Sequence, residues 1–274
     1  KNPDQAHSTA EDRDHEARPA DACLPQVREL PPSGEGMWPW DELRDMDGRD
    51  LHARGLELRP EEIWTPGQGG LASAVVGLRG CTASFISPDG LMITNHHCAY
   101  GAIQRNSTDE KNLLEAGFLA GSRQEELDGH GMKADVFLEQ TDVTVDVLGE
   151  MPEGLTDLER ARYIEKRQKE IVARCEEQPS TRCEVSRVND GLRFVLLTNL
   201  EIRDVRIVAA PPESLGSYGG EVDNWHWPRH SMDFTLLRAY VGQDGSPASH
   251  HPDNVPYHPE RWLEVSHEGV DAGD

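Results

Sequence analysis

Five consecutive residues, Thr94-Asn95-His96-His97-Cys98, place two imidazoles beside a cysteine at the end of the apolar run Leu91-Met92-Ile93. An imidazole there can serve as a general base, because histidine changes charge near neutral pH and can take a proton from a hydroxyl or thiol. Such a base needs a carboxylate on its other ring nitrogen, to fix the tautomer and stabilise the imidazolium. Asp233 lies at the mouth of the apolar run Phe234-Thr235-Leu236-Leu237 and can supply it. Taken alone, Asp233 reads equally well as the turn residue that begins an ordinary strand. The histidines also admit a metal reading, a hydrolase built on His96, His97, His226 and His230. It is the weaker one: adjacent histidines on a strand or turn face different sides, and neither CxxC nor HExxH occurs.

The five cysteines are Cys23, Cys81, Cys98, Cys175 and Cys183. Cys81 and Cys98 flank two predicted strands in a spacing that suits a bridge across a hairpin. Cys175 and Cys183 flank the turn between a predicted helix and the next strand. Two bridges with Cys23 left over suit an oxidising compartment, the alternative being a set of buried free thiols.

Short strands joined by turns must position these groups. Ala74–Arg79, Cys81–Ser87 and Leu91–Asn95 are compact apolar or alternating runs, and Ser87-Pro88-Asp89-Gly90 carries hairpin-turn chemistry. Further strands are predicted at Ala134–Glu139, Val143–Leu148, Cys183–Val188, Arg193–Leu197, Val205–Ala209 and Phe234–Val241, and Trp262–Ser266 is strand-like. A short helix is expected within Cys98–Gln104. Ser107-Thr108-Asp109-Glu110 has the form of a capping box that opens another through Ala116. A second box, Thr156-Asp157-Leu158-Glu159, precedes apolar residues at helical spacing: Leu158, Ala161, Ile164, Ile171, Val172 and Cys175. The expectation is a mostly β domain with a helical insertion at about 155–178 that covers the flank of a barrel.

Composition bounds the function. Lys and Arg total 27 against 50 Asp and Glu, a formal charge of −23. That balance speaks against a nucleic-acid binder and against docking on an anionic membrane, both of which need clustered positive charge. No apolar run approaches the length of a membrane span. Residues 1–35 are polar, with hardly any clustered apolar side chains, and read as a disordered leader or linker. The chain starts at Lys1 and ends beyond Trp262–Ser266 with no closing element, so it reads as cut short, its signal peptide removed or not included.

The Thr-x-x-His-Cys pattern, the bridge partner Cys81 and the later Asp233 strand resemble the first barrel of chymotrypsin-like proteases. Within that clan the sequence resembles the bacterial dipeptidyl-peptidase 7 and 11 family. The likeness is carried by Gly36-Met37-Trp38, Gly80-Cys81-Thr82, Thr94–Cys98 with Ala102-Ile103-Gln104, Asp204-Val205-Arg206, the stretch Gly219–His230, Asp253-Asn254-Val255-Pro256-Tyr257 and Gly269–Asp274. It spans about residues 36–274. There are departures: His226 stands where the family usually has Met, Ser231-Met232 where it has Thr-Gly, and Tyr218 where it has Phe.

The resemblance implies a chymotrypsin-like β-barrel, with a second barrel and a large helical domain lying outside this chain. It implies a serine exopeptidase that releases dipeptides from the free N-terminus of peptides, active as a homodimer outside the cytoplasm (periplasmic or secreted). No metal or organic cofactor is implied. His97 would be the general base and Asp233 its orienting acid, preferred to Asp223 because Asp223 precedes no apolar strand. Asn224 and Trp225 would hold the substrate's α-amino group, an amide oxygen and an aromatic face both being suited to an ammonium ion. Trp225 and Trp227 also read as ordinary core aromatics and Arg229 as an ion-pair partner, the preferred reading for Trp227 and Arg229. No Gly-x-Ser-Gly segment occurs, so the nucleophile would lie downstream. A non-catalytic peptide-binding protein on the same fold is the rival reading.

Overall fold

The computed structural model describes residues 48–53, 55–65, 67–216 and 232–269. Cys23, Asn224, Trp225 and the remainder of Gly219–His230 lie outside them. The strands are β1 (Val75–Gly77), β2 (Thr82–Phe85), β3 (Leu91–Thr94), β4 (Phe118–Leu119), β5 (Leu127–Asp128), β6 (Ala134–Asp142), β7 (Thr181–Val188), β8 (Arg193–Ile202), β9 (Asp204–Ala210), β10 (Thr235–Val241) and β11 (Val255–Pro256). Among the described residues they form one sheet in the order β4-β9-β10-β3-β2-β1-β6-β8-β7, with β5 on β9 and β11 on β10. Every pairing is antiparallel.

The sheet curls because Arg203 alone separates the end of β8 from the start of β9, although these strands lie far apart in its hydrogen-bonded order. Alternate residues of seven strands then point into one core: Val76, Ala83, Phe85, Met92, Ala134, Val136, Ile202, Val205, Ile207, Leu237 and Ala239. This is the period-2 alternation of a sheet with one buried face. The tight turn between β2 and β3 forms as expected. Ile86 donates its N–H to the Leu91 carbonyl, Ser87 Oγ accepts from Asp89 and Leu91, and Gly90 takes a positive φ of 67°. A side chain at Gly90 would also collide with backbone, its Cβ falling 2.7 Å from the Tyr257 carbonyl oxygen.

The helices are α1 (Gly48–Ala53), α2 (Pro60–Ile63), α3 (His96–Arg105), α4 (Leu113–Ala116), α5 (Thr144–Leu148), α6 (Asp157–Cys175) and α7 (Glu213–Gly216). The capping box of α6 forms, with Thr156 and Glu159 each satisfying the other's backbone N–H. The helix does not cover the main core. It lies on the ends of β7 and β8 that extend past it, over a second apolar cluster of Val143, Val147, Ile171 and Phe194.

Three local expectations are corrected. Val143–Leu148 is not a strand: Thr144–Leu148 is helical, with Val143 and Val147 buried four residues apart while Val145 is exposed. Asp142 Oδ1 accepts the Thr144 N–H at 2.9 Å and turns the chain there. Ser107–Glu110 does not open a helix, because Ser107 Oγ donates to the Ile103 carbonyl at the end of α3. Asn112 caps α4 instead, accepting from Leu114 N at 3.1 Å. Trp262–Ser266 forms no strand; a backbone bond from Leu263 N to Phe85 O at 2.8 Å ties it to the barrel.

Candidate active site

The register of β3 against β10 assembles the site. Thr94 lies opposite Thr235. Where β3 ends and α3 begins, the chain therefore meets Asp233 two residues before its strand. Asn95, with extended backbone, is the N-cap of α3, so His96 and His97 occupy its first turn, where backbone N–H groups have no partner within the helix. Asp233 supplies one. Its Oδ1 accepts the His97 N–H at 3.2 Å, and its Oδ2 lies 3.0 Å from His97 Nδ1. Asn95 Nδ2 donates to Oδ2 at 3.1 Å and to the Asp233 carbonyl at 3.2 Å. The Asp233 side chain is 15% exposed and that of His97 67%.

The electrostatics follow from this geometry. Burial pulls the Asp233 pKa upward, but the hydrogen bonds from the His97 backbone and ring, the charge of His97 and the His96 amide hold it below the usual carboxylate range. An ionised carboxylate only accepts, so His97 Nδ1 carries the proton and donates. In the neutral ring the lone pair then sits on Nε2, the form of imidazole that can take a proton.

His96 faces the other way. Its ring is fully buried, with Nδ1 3.3 Å from Thr235 Oγ1. Burial lowers its pKa, so it is held neutral. The opposed directions of the two rings fit the expectation from adjacent positions and separate their chemistry. Gly216 at the end of α7 packs on this ring; a Cβ there would fall 2.6 Å from His96 Cδ2. Gly216→Ala is therefore expected to destabilise the protein by about 1–3 kcal/mol through overpacking, read as a fall in thermal midpoint. An unchanged midpoint would mean that α7 simply moves aside.

Both disulfides form, Cys81–Cys98 and Cys175–Cys183. The first pins the opening turn of α3 to the β1–β2 connection, and the second ties the end of α6 to β7. A ring nitrogen of His97 and the sulfurs of Cys81 and Cys98 lie within 4.8 Å of one another. These sulfurs are bonded to each other and so are not free thiolates for a metal. Replacing both Cys81 and Cys98 by Ala, which opens a link across 17 residues, is expected to cost about 3 kcal/mol by loop entropy. Thermal unfolding of the double variant beside the parent checks this.

Asn95, Thr235 and Gly216 are positioning residues that sequence reasoning did not assign. Asn95 stood inside the pentapeptide already singled out. Gly216 gave no sign of its role, since its small size matters only because a buried ring lies against it.

A curled antiparallel barrel that sets a carboxylate against the first-turn histidine of a disulfide-pinned helix is the arrangement of a chymotrypsin-like peptidase. The chain belongs to the Peptidase S46 family, whose match covers residues 33–274. It is 45% identical over 246 residues to the "Asp/Glu-specific dipeptidyl-peptidase" of Shewanella putrefaciens, covering 88% of this chain and 32% of that protein. It is 37% identical over 241 residues to the "Dipeptidyl-peptidase 7" of Capnocytophaga gingivalis, covering 88% of this chain and 34% of that one. The crystal structure of Porphyromonas endodontalis DPP11 in complex with substrate superposes with a TM-score of 0.78 at 38% identity, over 88% of this chain and 36% of that one. The chain thus spans about a third of the length of these curated relatives.

Proposed function

We propose that this chain is the N-terminal part of a serine-type dipeptidyl peptidase, with His97 as its general base and Asp233 as the acid that orients it. The observation that carries the reading is the His97 Nδ1–Asp233 hydrogen bond, in a chain related to dipeptidyl-peptidases over most of its length. His97 Nε2 takes the proton of a serine hydroxyl, supplied by polypeptide outside this chain, as that oxygen attacks the second peptide bond of the substrate. Asp233 stabilises the imidazolium, which then protonates the leaving amine. Water hydrolyses the acyl-enzyme by the same base, releasing a dipeptide. Asn224 and Trp225 hold the substrate's free ammonium, which sets the cut at two residues. Residues 1–35 act as a leader or linker, and residues 36–274 form the N-terminal part of the peptidase domain.

The enzyme works on peptides outside the cytoplasm, as a homodimer. Its two disulfides suit an oxidising compartment. Among the described residues no helix is long and apolar enough to cross a membrane.

The test is product analysis with the native protein that carries this chain. Peptides with a free N-terminus are expected to yield dipeptides, and N-acetylated ones none. A serine-directed phosphonate stops turnover and a chelator does not. Release of single amino acids, or loss of activity to the chelator alone, overturns the reading. Tight peptide binding with no cleavage would make the chain part of a peptide-binding protein.

A further inference from the structure

Two hydrogen bonds join the first turn of α3 to the segment that opens β10, one at the surface and one buried. The outer one is His97 Nδ1 to Asp233, and the inner one is His96 Nδ1 to Thr235 Oγ1 at 3.3 Å. His96 and Thr235 are both fully buried. His96 Nε2 is buried too, and among the described residues it has no hydrogen-bond partner. A neutral imidazole tolerates that, since one nitrogen can carry the proton and the other only a bare lone pair. An imidazolium does not: both nitrogens then donate, and a buried charged donor without an acceptor is costly.

We propose that His96 is a positioning residue for the peptidase reaction: while neutral, its buried ring holds the first turn of α3 at the angle that sets His97 on Asp233, and a proton on it releases that hold. This role rests on the peptidase reading above. Successive helix residues point about 100° apart, so a ring fixed at position 96 fixes the direction of the side chain at 97. The ring is held on two sides. Thr235 stands two residues after Asp233 and is locked in register opposite Thr94. Gly216 closes the other side, where a Cβ would fall 2.8 Å from His96 Cγ and 3.2 Å from Nε2.

Three charged groups face the ring. Asp233 ahead of β10 and Glu213 on α7 favour a proton on it, and His97 on α3 opposes one. Burial outweighs the two carboxylates and keeps the ring neutral. Acidification therefore disables the site by two separate protons, one that occupies the base His97 and one that loosens its support.

The test is the pH profile of kcat/KM for the best of a panel of dipeptidyl arylamides, with the native enzyme. It is taken above about pH 4, where the depressed carboxylates Asp233 and Asp204 stay ionised. On the acid side, log kcat/KM should fall with a slope approaching two, one proton for each histidine. His96→Asn keeps an amide that can bond Thr235 but does not titrate, and its slope should be one. Thr235→Val removes the inner bond with little change of shape. It should lower kcat at neutral pH by about 10–100-fold with KM little changed, a misplacement of about 1 Å being worth about 10²-fold. Thr235→Ser, which keeps the hydroxyl, should recover most of that loss. Partial misfolding does not mimic these results, because a slope is read on one preparation and kcat is referred to active sites counted with a serine-directed phosphonate. A slope of one in the parent, a slope of two kept in His96→Asn, or a parent-like kcat in Thr235→Val overturns the role of His96 and leaves the peptidase reading standing. No cleavage of any arylamide in the panel by the parent overturns both.

Discussion

Asp233→Asn is expected to lower kcat by about 10³–10⁴-fold while leaving the fold intact, the scale seen when a triad aspartate is made neutral in another protease. The carboxylate faces three donors: the His97 N–H, His97 Nδ1–H and Asn95 Nδ2. An asparagine of the same shape has one oxygen and one NH₂ group, so it cannot accept from all three. If its NH₂ faces the ring, Nδ1 must become the acceptor and the proton moves to Nε2. The imidazole then cannot take a proton from the nucleophile, and an imidazolium formed there would have no anion beside it.

The measurement is turnover of a dipeptidyl arylamide by the native protein and its variant, with thermal midpoints to verify folding. His97→Ala should show a similar loss, and the double variant little more, since the two residues act as a unit. Asp233→Asn activity within tenfold of the parent would remove Asp233 from the site.

Asp204→Ala is expected to be the most damaging change to stability, by about 3–5 kcal/mol, because it leaves a buried guanidinium without its anion. The Asp204 side chain is fully buried and accepts from Arg206 Nε at 3.0 Å, Arg206 Nη2 at 2.7 Å, His250 Nδ1 at 3.0 Å and Asn254 Nδ2 at 2.8 Å. Arg206 lies 3.9 Å over the Tyr240 ring, and the Tyr240 hydroxyl donates to Glu126 at 2.7 Å. One carboxylate thus ties β9 to the segment between β10 and β11. At about 2–4 °C per kcal/mol, the thermal midpoint should fall by roughly 6–20 °C. Asp204→Leu with Arg206→Met removes both charges together and should recover much of the loss, as apolar replacements of buried pairs do. A shift of under about 1 kcal/mol in Asp204→Ala would mean that water reaches the guanidinium.

The same carboxylate sets an acid limit. Burial pushes its pKa up, but the bonds from Arg206, Asn254 and His250 outweigh that and leave it below the ordinary value. A group whose folded pKa is depressed contributes its full stability above the unfolded value, about 3.9. The contribution is lost as pH falls through the folded pKa. Asp233 follows the same sign. The parent should therefore lose stability on acidification below about pH 4, and Asp204→Ala should lose less over that window.

Both catalytic candidates and both disulfide pairs were legible in the sequence because each rests on short-range chemistry: a histidine beside a half-cystine, an aspartate opening a strand, cysteines flanking a turn. The β character was legible from alternation, and α6 from its capping box. Val143–Leu148 misled because a short apolar run fits a strand or one helical turn equally well. The choice fell to Phe194 and Ile171, which bury Val143 and Val147 together and leave Val145 in solvent.

The sequence by itself determined which groups are present: a base, an acid, a bridge and the apolar faces of the strands around them. Only the tertiary structure decided their geometry. The pairing of Thr94 with Thr235 brings Asp233 to the start of α3 across 136 residues, and it turns His97 outward onto that carboxylate while His96 is buried against Gly216. Which of two adjacent histidines meets an acid depends on strand register and on the entry angle of a helix. Contacts between distant segments set both, and no local pattern carries them.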